Sequence, residues 1–299
     1  MSIDDRKTRL DALAVLLLVG CCLLWGLNQV ATKVTLAEIP PLTQAAARSL
    51  GAALLVALWA RWRGIALWAR DGTARGGLLA GSLFAVEFGC IFVGLQFTTA
   101  SRMVVFIYLA PFVVALGMPL ISRAERLNWR QVTGLLAAFG GVVWAFSEGF
   151  VRPAAGPHQW LGDALGIAAA VLWGLTTLVL RASRLSTAAP EKTLLWQLVV
   201  SGAALSLAAL VGGESLAVAP SAKSLLPLAF QTVIVTFASY LVWFWLMRHY
   251  PATRISSFTL LTPIFGLLAG VLLLHEPVTP RLLLALAAVV LGIALVNRS

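Results

Sequence analysis

The sequence predicts an all-α integral membrane protein with ten transmembrane helices, arranged as two inverted five-helix repeats around a central cavity. Three observations predict this fold. The chain is 60% hydrophobic and 11% charged, whereas soluble domains average about 25% charged residues. Ten apolar stretches approach the roughly 20 residues that a membrane crossing needs. Finally, the second half of the chain repeats motifs of the first half.

The ten predicted spans account for most of the chain and leave no room for a separate soluble domain. Their limits are 11–32, 42–62, 74–96, 99–122, 129–147, 160–182, 193–212, 224–247, 255–274 and 280–297. Arg6 and Lys7 precede the first span, as in a secretory signal peptide. Its apolar run is longer than the usual signal core, however, so we expect it to be retained as a span.

The internal repeat joins matching motifs in the two halves. The matched segments are Leu24-Trp25-Gly26-Leu27 with Leu172-Trp173-Gly174-Leu175, Ala100-Ser101-Arg102 with Ala252-Thr253-Arg254, Pro111 with Pro263, Glu125 with Glu276, and Gly141 with Gly292. Each copy holds five spans, so the second copy must enter the membrane from the opposite side. Inverted repeats of this kind are the architecture of carriers that alternate access.

The repeat sets the domain boundaries. We expect the first five-helix repeat at 11–147, a linker rich in Gly and Pro at 148–159 on the outer side, and the second repeat at 160–297. Most Lys and Arg residues of the predicted loops fall on the same side as the N-terminus. The positive-inside rule therefore places both termini in the cytoplasm. The net charge of +10 is explained by this topology rather than by nucleic-acid binding.

Proline and glycine mark special points within the spans. Pro111 and Pro263 lie inside the fourth and ninth predicted spans, at equivalent places. A proline removes one intrahelical hydrogen bond and frees a carbonyl, so a matched pair predicts hinges or gates beside a polar path; a structural kink is the alternative. The pairs Gly77/Gly81 and Gly266/Gly270 have the four-residue spacing of close helix contacts.

Polar and aromatic side chains within the spans predict the lining of the cavity. We expect it to be formed by Trp25, Asn28, Gln29, Glu87, Tyr108, Trp173, Thr177, Ser239, Tyr240 and Trp243. Several of these are repeat partners, and residues matched in this way converge near the axis that relates the halves. Aromatic walls with few charges favour a small neutral or zwitterionic solute.

Glu87 is the acidic residue deepest within a predicted span, and three interpretations stay open. It can carry a proton, bind the ammonium group of a substrate, or form a structural ion pair with Arg48. An ionised carboxylate inside the bilayer costs several kcal/mol unless it is paired or hydrated, so it is expected to face the bundle interior.

The sequence contains no H-E-x-x-H, nucleophile-elbow or Walker motif, and no paired nucleophile and base can be assembled. We therefore predict no enzyme, no catalytic residue, no cofactor and no metal site. The expected partners are a small-molecule substrate and the lipid bilayer. The oligomeric state stays open, with a monomer as the simplest expectation.

Taken together, the Trp-Gly motif early in each copy and the Ala…Pro…Glu…Gly run late in each copy resemble the drug/metabolite transporter superfamily with EamA-type repeats. Val86-Glu87-Phe88, Tyr108-Leu109-Ala110-Pro111 and Trp173 are similar to its bacterial inner-membrane exporters of aromatic and neutral amino acids (YddG type). The resemblance implies a central cavity lined by spans one to four and six to nine.

Two departures from that pattern bear on the substrate. Ala110 stands where those exporters carry a bulky aromatic residue, and Arg48 has no basic counterpart in the second half, where Trp196 and Gln197 stand. We expect export of neutral amino acids, including aromatic ones, or of related metabolites across a bacterial inner membrane. The alternative is a multidrug or cation efflux carrier of the same superfamily.

Overall fold

The computed structural model describes residues 11–67, 69, 71–121, 129–151, 153, 155–216, 219–250, 258, 259 and 261–297. Within these ranges the regular secondary structure is entirely helical. The first half contains α1 (Ala12–Thr35), α2 (Pro41–Trp62), α3 (Ala74–Gly94), α4 (Ala100–Ile107), α5 (Ala110–Ile121) and α6 (Trp129–Val151). The second half contains α7 (Gln159–Ala182), a 3₁₀ turn (Arg184–Ser186), α8 (Pro190–Val211), α9 (Ala222–Ala229), a π-helical segment (Phe230–Ser239), α10 (Tyr240–His249), α11 (Leu261–Leu274) and α12 (Pro280–Asn297).

Local sequence signals start several of these helices. Asp11 caps α1, since its Oδ1 accepts the Ala14 N–H at 2.9 Å, and Thr99 Oγ1 accepts the Arg102 N–H at 3.1 Å to cap α4. Pro41 and Pro190 open α2 and α8, where the missing proline N–H costs no helical hydrogen bond. These polar caps and prolines separate the long apolar runs into distinct helices.

Seven helical stretches in the described part of the chain are long and apolar enough to cross a membrane. They match predicted spans one to four and six to eight; α4 with α5 forms one of them, and residues 222–246 form another. The predicted fifth, ninth and tenth spans correspond to shorter apolar helical stretches at Val132–Ala145, Leu261–Leu274 and Pro280–Gly292. Residues 255–257 and 260 of the predicted ninth span lie outside the described residues. The count of ten crossings thus stays a prediction.

The fourth span is broken near Pro111. α4 ends at Ile107 and α5 begins at Ala110, and the Leu109 N–H bonds the Phe106 carbonyl at 3.1 Å in a tighter, three-residue pattern. Pro263 is the third residue of α11 and follows a turn in which the Thr262 N–H bonds the Thr259 carbonyl at 3.0 Å. Both prolines therefore lie at the start of a helical segment, and their role as hinges stays a prediction.

The eighth span contains an irregularity that the sequence did not predict. Residues Phe230–Ser239 are wound as a π-helix, a form that is rare and concentrated at functional sites. Within it the Thr236 hydroxyl donates to the Gln231 carbonyl five residues earlier, at 2.8 Å. The segment ends at Ser239, so the wider winding sets the direction in which Ser239 and the following Tyr240 point.

Helix contacts cross between the halves in matching pairs. The contact of α1 with α11 corresponds to that of α7 with α5. The contact of α3 with α7 corresponds to that of α1 with α9 and the π segment. The contact of α3 with α8 corresponds to that of α2 with the π segment. The remaining large contacts join α2 with α8, α4 with α11, and α6 with α12. Exchanging the first half for the second leaves these contacts unchanged, whereas the smaller contacts of α6 with α7 and of α1 with α4 have no counterpart of similar size in the described part of the chain.

The glycine of each Trp-Gly motif explains one of these matched contacts. A Cβ on Gly26 would lie 2.6 Å from the Gly266 nitrogen, and one on Gly174 would lie 2.5 Å from the Val113 Cβ. Gly77 and Gly81 face Trp196, and Gly266 and Gly270 face Val104 and Ser101. The predicted role of these glycines as contact points between helices is confirmed.

Polar and apolar residues are distributed as expected in lipid. Long apolar side chains such as Leu16, Leu120 and Leu136 are exposed on the outside of the bundle, while Arg48, Gln44 and Gln231 are buried within it. Lipid offers no hydrogen bonds, so polar side chains gain by facing one another inside the protein.

Candidate functional site

An aromatic cluster joins α1 to the end of the π segment. The Trp25 Nε1–H donates a hydrogen bond to the Ser239 Oγ at 2.9 Å. The Trp25 ring meets Trp243 and Tyr240 edge-on, with centroids 5.2 and 6.3 Å away. Four of the predicted cavity residues therefore lie together, and the π-helical winding that ends at Ser239 positions three of them.

A second aromatic pair lies on the elements that flank the proline break. The rings of Tyr108 and Trp173 meet edge-on with centroids 5.6 Å apart, and Tyr108 approaches Thr262 beside Pro263. Tyr108 is the residue at which α4 ends, so the break before Pro111 directs its side chain. Thr177, by contrast, bonds the Trp173 carbonyl of its own helix at 3.0 Å, and this bond does not support its predicted role in the lining.

Arg48 and Glu87 are buried in the same region without a direct ion pair. Arg48 is 0% exposed and Glu87 is 4% exposed. The three guanidinium nitrogens of Arg48 have no hydrogen-bond partner among the described residues, and the same is true of the Glu87 Oε2. The guanidinium instead stacks over the Phe88 ring, 3.8 Å from its centroid. The structural ion pair that the sequence left open is therefore not formed in this conformation.

Further buried polar atoms without partners come from neighbouring helices. Among the described residues they are Asn28 Oδ1, Gln29 Oε1, Gln44 Oε1, Ser49 Oγ, Gln197 Nε2 and Thr262 Oγ1. Native proteins leave few buried polar atoms without a hydrogen bond, so a group of them indicates a site that can bind water or a ligand. Asn28, Gln29 and Glu87 were predicted from the sequence; Gln44, Ser49 and Gln197 were not.

A hydrogen-bonded network lies between α1, α2 and the π segment. The Gln231 Oε1 accepts hydrogen bonds from the Thr32 hydroxyl at 3.1 Å and from the Gln44 Nε2 at 3.2 Å. Its own Nε2 donates to the Thr35 hydroxyl at 3.2 Å. Because these amides and hydroxyls bond one another, they hold the three helices together.

Two surface clefts lie in the described part of the chain. One surface cleft lies at the α1–α2 connection and is lined by residues such as Glu38, Gln96 and Glu214. Another lies on the outer face of α1 and the π segment and is lined by Cys21 and Ser239. Of the predicted cavity residues, Ser239 alone lines one of these two clefts.

An ionic network at one end of the bundle was not predicted. The Arg102 Nη1 donates to the Glu148 Oε2 at 3.0 Å, and its Nη2 donates to the Asp163 Oδ2 at 2.6 Å. The Thr279 hydroxyl also donates to Glu148, at 2.7 Å. The network therefore links α4, α6, α7 and the start of α12. Glu148 belongs to α6 rather than to the predicted linker, because α6 extends to Val151.

Glu276 adds a link between the halves at the same end. Its Oε1 accepts the Ala100 N–H at 2.7 Å, and its Oε2 accepts the N–H and hydroxyl of Ser101 at 2.9 and 2.7 Å. A carboxylate in this position satisfies the free N–H groups that begin α4. Glu276 and the Ala100–Arg102 segment both belong to motifs that repeat in the sequence. The sequence alone did not show that these two motifs contact each other. Their counterparts, Ala252–Arg254 and Glu125, lie outside the described residues.

Metal-binding chemistry has no support from the described residues. No three His, Cys, Asp or Glu side chains converge there in a way that could hold an ion. The thiols of Cys21 and Cys22 instead approach the Ser239 and Phe258 carbonyls, at 3.8 and 3.2 Å. Aromatic rings, amides and two separated charges converge on this region, an arrangement suited to binding a small molecule.

Comparison with known proteins agrees with that conclusion. The profile of the EamA-like transporter family matches the chain twice, over residues 12–147 and 160–298. The chain belongs to the EamA-like transporter family. This EamA protein is thus a membrane transporter built from two copies of the family's unit, with several apolar helices and a small-molecule substrate.

The similarity of this EamA protein to several relatives covers nearly its whole length. It is 28% identical to the uncharacterized transporter YvbV of Bacillus subtilis, over 97% of this chain and 92% of that protein. It is 26% identical to a probable amino-acid metabolite efflux pump of Escherichia coli, over 96% and 94% of the two chains. A protein crystal structure 20% identical in sequence superposes with a TM-score of 0.68 over 96% of each chain, which supports the fold.

Proposed function

We propose that this protein is an inner-membrane secondary carrier that exports neutral amino acids, including aromatic ones, by alternating access. The observation that carries the proposal is the matched exchange of helix contacts between the halves. Because the main contacts of α1, with α11 and with α9 and the π segment, have counterparts at α7, a bundle that closes at one end has an equivalent way to close at the other. That equivalence is what an alternating carrier needs.

The proposal includes two inverted five-helix repeats with ten crossings and both termini in the cytoplasm. The excess of Lys and Arg on the N-terminal side supports this orientation. Gly26 and Gly174 support the repeat, since each brings its Trp-Gly helix against the segment that follows the proline of the other half. Pro111 and Pro263 are the proposed hinges, because each lies where a helical segment starts and the backbone is interrupted.

The aromatic residues support the substrate class. Trp25, Tyr240 and Trp243 form one group of rings, and Tyr108 and Trp173 form another. Two groups of aromatic rings can pack against an apolar or aromatic side chain of the substrate. A relative in Escherichia coli and another in Salmonella typhimurium are each named as a probable amino-acid metabolite efflux pump, which favours amino acids over other small solutes.

The alternative, efflux of organic cations, is favoured by the buried carboxylate of Glu87. A cation carrier needs that charge to bind its substrate, whereas a carrier of neutral solutes needs it less. Glu87→Gln separates the two proposals when flux is measured in proteoliposomes. Complete loss of flux supports cation efflux, and partial loss supports a neutral substrate.

Counterflow in proteoliposomes tests the main proposal. Vesicles loaded with unlabelled amino acid should accumulate the same labelled amino acid, and a panel of neutral, acidic and basic amino acids defines the range. A repeat with an imposed pH gradient tests coupling to protons. Trp173→Ala should lower the flux while the yield of folded protein stays unchanged. If none of the panel exchanges in the wild-type protein, amino-acid transport is ruled out.

A further inference from the structure

Arg48 is a buried charge without hydrogen bonds. Its guanidinium is fully buried, and none of its three nitrogens has a hydrogen-bond partner among the residues that the structure describes. A buried charge of this kind is strongly unfavourable unless an opposite charge or hydrogen bonds compensate it. Stacking over Phe88 at 3.8 Å, with Phe92 at 5.2 Å, offsets part of the cost, but an aromatic face accepts no hydrogen bond in the plane of the guanidinium.

The planar edge of Arg48 therefore stays free for an anion. A guanidinium binds a carboxylate through two parallel N–H···O bonds, which gives both strength and a fixed orientation. Ser49 Oγ and Gln197 Nε2 are further buried polar atoms without partners, on the same helix and on α8, which packs against it.

Glu87 provides the opposite charge nearby. Arg48, Glu87 and Tyr240 lie within electrostatic range of one another, yet Glu87 Oε2 is unpartnered. Glu87 and Phe88 are adjacent on α3, and Arg48 stacks on Phe88 without a hydrogen bond to Glu87 among the described residues. Tyr240 connects this pair to the Trp25 and Trp243 rings. A positive centre, a negative centre and an aromatic wall thus meet in one place.

We propose that Arg48 binds the carboxylate and Glu87 the ammonium group of a zwitterionic α-amino acid, whose side chain lies against the Trp25–Tyr240–Trp243 rings. The assignment rests on the proposed function and adds the recognition of the substrate's backbone to it. One zwitterion neutralises both buried charges at once, which neither an organic cation nor a simple carboxylate does. The carrier therefore selects substrates that are neutral overall yet charged at both ends.

The test uses wild-type protein in proteoliposomes and three competitors of labelled phenylalanine counterflow. Unlabelled phenylalanine carries both charges, its methyl ester lacks the carboxylate, and 3-phenylpropionate lacks the ammonium. The expected result is that phenylalanine competes better than either analogue by about tenfold or more, as for the loss of a charge-assisted hydrogen bond. An ester that competes as well as phenylalanine overturns the assignment of Arg48.

Variants then assign each charge to its residue. Arg48→Gln should abolish the preference over the ester and keep the preference over phenylpropionate; Glu87→Gln should do the reverse. Arg48→Lys should retain part of the preference over the ester, since it keeps the charge but loses the fork. Ser206→Ala, whose hydroxyl bonds the Gly202 carbonyl of its own helix, is the matched control and should leave both preferences unchanged.

The outcomes separate this assignment from the proposed function. If the wild-type protein exchanges no amino acid, amino-acid transport itself fails. If it exchanges phenylalanine but both variants keep both preferences, the function stands and the assignment of Arg48 and Glu87 fails. If a variant does not fold, the ranking of the three competitors on the wild-type protein still decides whether both charges of the substrate are recognised.

Discussion

The carboxylate of Glu276, in the second half, accepts hydrogen bonds from both the backbone N–H and the hydroxyl of Ser101, in the first half, at 2.9 and 2.7 Å. With the Ala100 N–H at 2.7 Å, it occupies the start of α4. This contact ties the two halves together at one end of the bundle, where an alternating carrier must open and close. It is therefore a candidate latch for one of the two states.

We predict that Glu276→Ala destabilises the protein by about 1–3 kcal/mol, because it leaves buried N–H groups without an acceptor. The thermal midpoint of the purified protein in detergent measures this effect. Glu38 caps Ser221 in a comparable way but at an exposed site, so Glu38→Ala is the control and should have a smaller effect. Equal midpoint changes in the two variants would contradict the proposed importance of the contact.

The Trp-Gly glycines give a prediction about close packing. Gly26→Ala should destabilise the protein by roughly 1–3 kcal/mol, as overpacking does in tight cores, because the new Cβ would meet backbone atoms of Phe265 and Gly266 at 2.9 and 2.6 Å. Gly20 on the same helix has nothing within 4 Å of its Cβ position. Gly20→Ala is therefore a matched control, and its thermal midpoint should not fall.

The ionic network at Arg102 predicts an unequal cost for two arginine substitutions. Arg102→Gln leaves Asp163 and Glu148 buried without a cation, a change that typically costs about 3–5 kcal/mol. Arg184 is exposed and donates to the Asp71 carbonyl at 3.2 Å, so Arg184→Gln should cost little. Unfolding midpoints of both variants, measured in one detergent, compare the two; a similar loss in each would refute a structural role for the network.

The Trp25–Ser239 hydrogen bond can be measured by a double-mutant cycle. Trp25→Phe and Ser239→Ala each remove the bond, and the pair together should show a coupling energy of about 1 kcal/mol. The bond closes an aromatic cluster that we place against the substrate, so Trp25→Phe should also lower counterflow. Additive stabilities with unchanged flux would show that neither the bond nor the indole N–H matters.

The loop between α2 and α3 contains a contact, between Asp71 and Lys192, that we predict to be acid-sensitive. Asp71 accepts hydrogen bonds from the Lys192 ammonium at 2.8 Å and from the Thr73 hydroxyl at 2.7 Å, and these donors hold the pKa of Asp71 well below its usual 3.8. A carboxylate whose pKa is lower in the folded than in the unfolded state stabilises the folded state at pH values above the unfolded-state pKa. This contribution disappears as the pH falls through the folded-state pKa.

Asp71→Asn should therefore lower the thermal midpoint at neutral pH, and its difference from the wild type should shrink as the pH falls below about 4. Midpoints measured in one detergent across this pH range give the comparison. Glu191→Gln, at the start of the helix that carries Lys192, is the control for a general effect of removing a carboxylate. A difference that stays constant down to acid pH would exclude Asp71 as its source.

Several features of this protein could be predicted from the sequence because they depend on local chemistry. Apolar runs between polar caps become membrane helices, since lipid forces each segment to satisfy its own backbone hydrogen bonds. The repeat located Trp25, Trp173, Pro111 and Pro263 at equivalent places, because duplicated segments fold alike. The Trp25–Ser239–Tyr240–Trp243 group also came together as a set.

The tertiary structure alone decided which partners these residues have. Arg48 stacks on Phe88 instead of pairing with Glu87, Arg102 joins Glu148 and Asp163, and a π-helical segment sets the direction of Ser239. Each of these depends on residues far apart in the chain, or on small changes in helical winding that move a side chain by several ångströms. Composition and spacing determine which segments enter the bilayer, whereas the geometry of packing determines which charges remain available for a ligand.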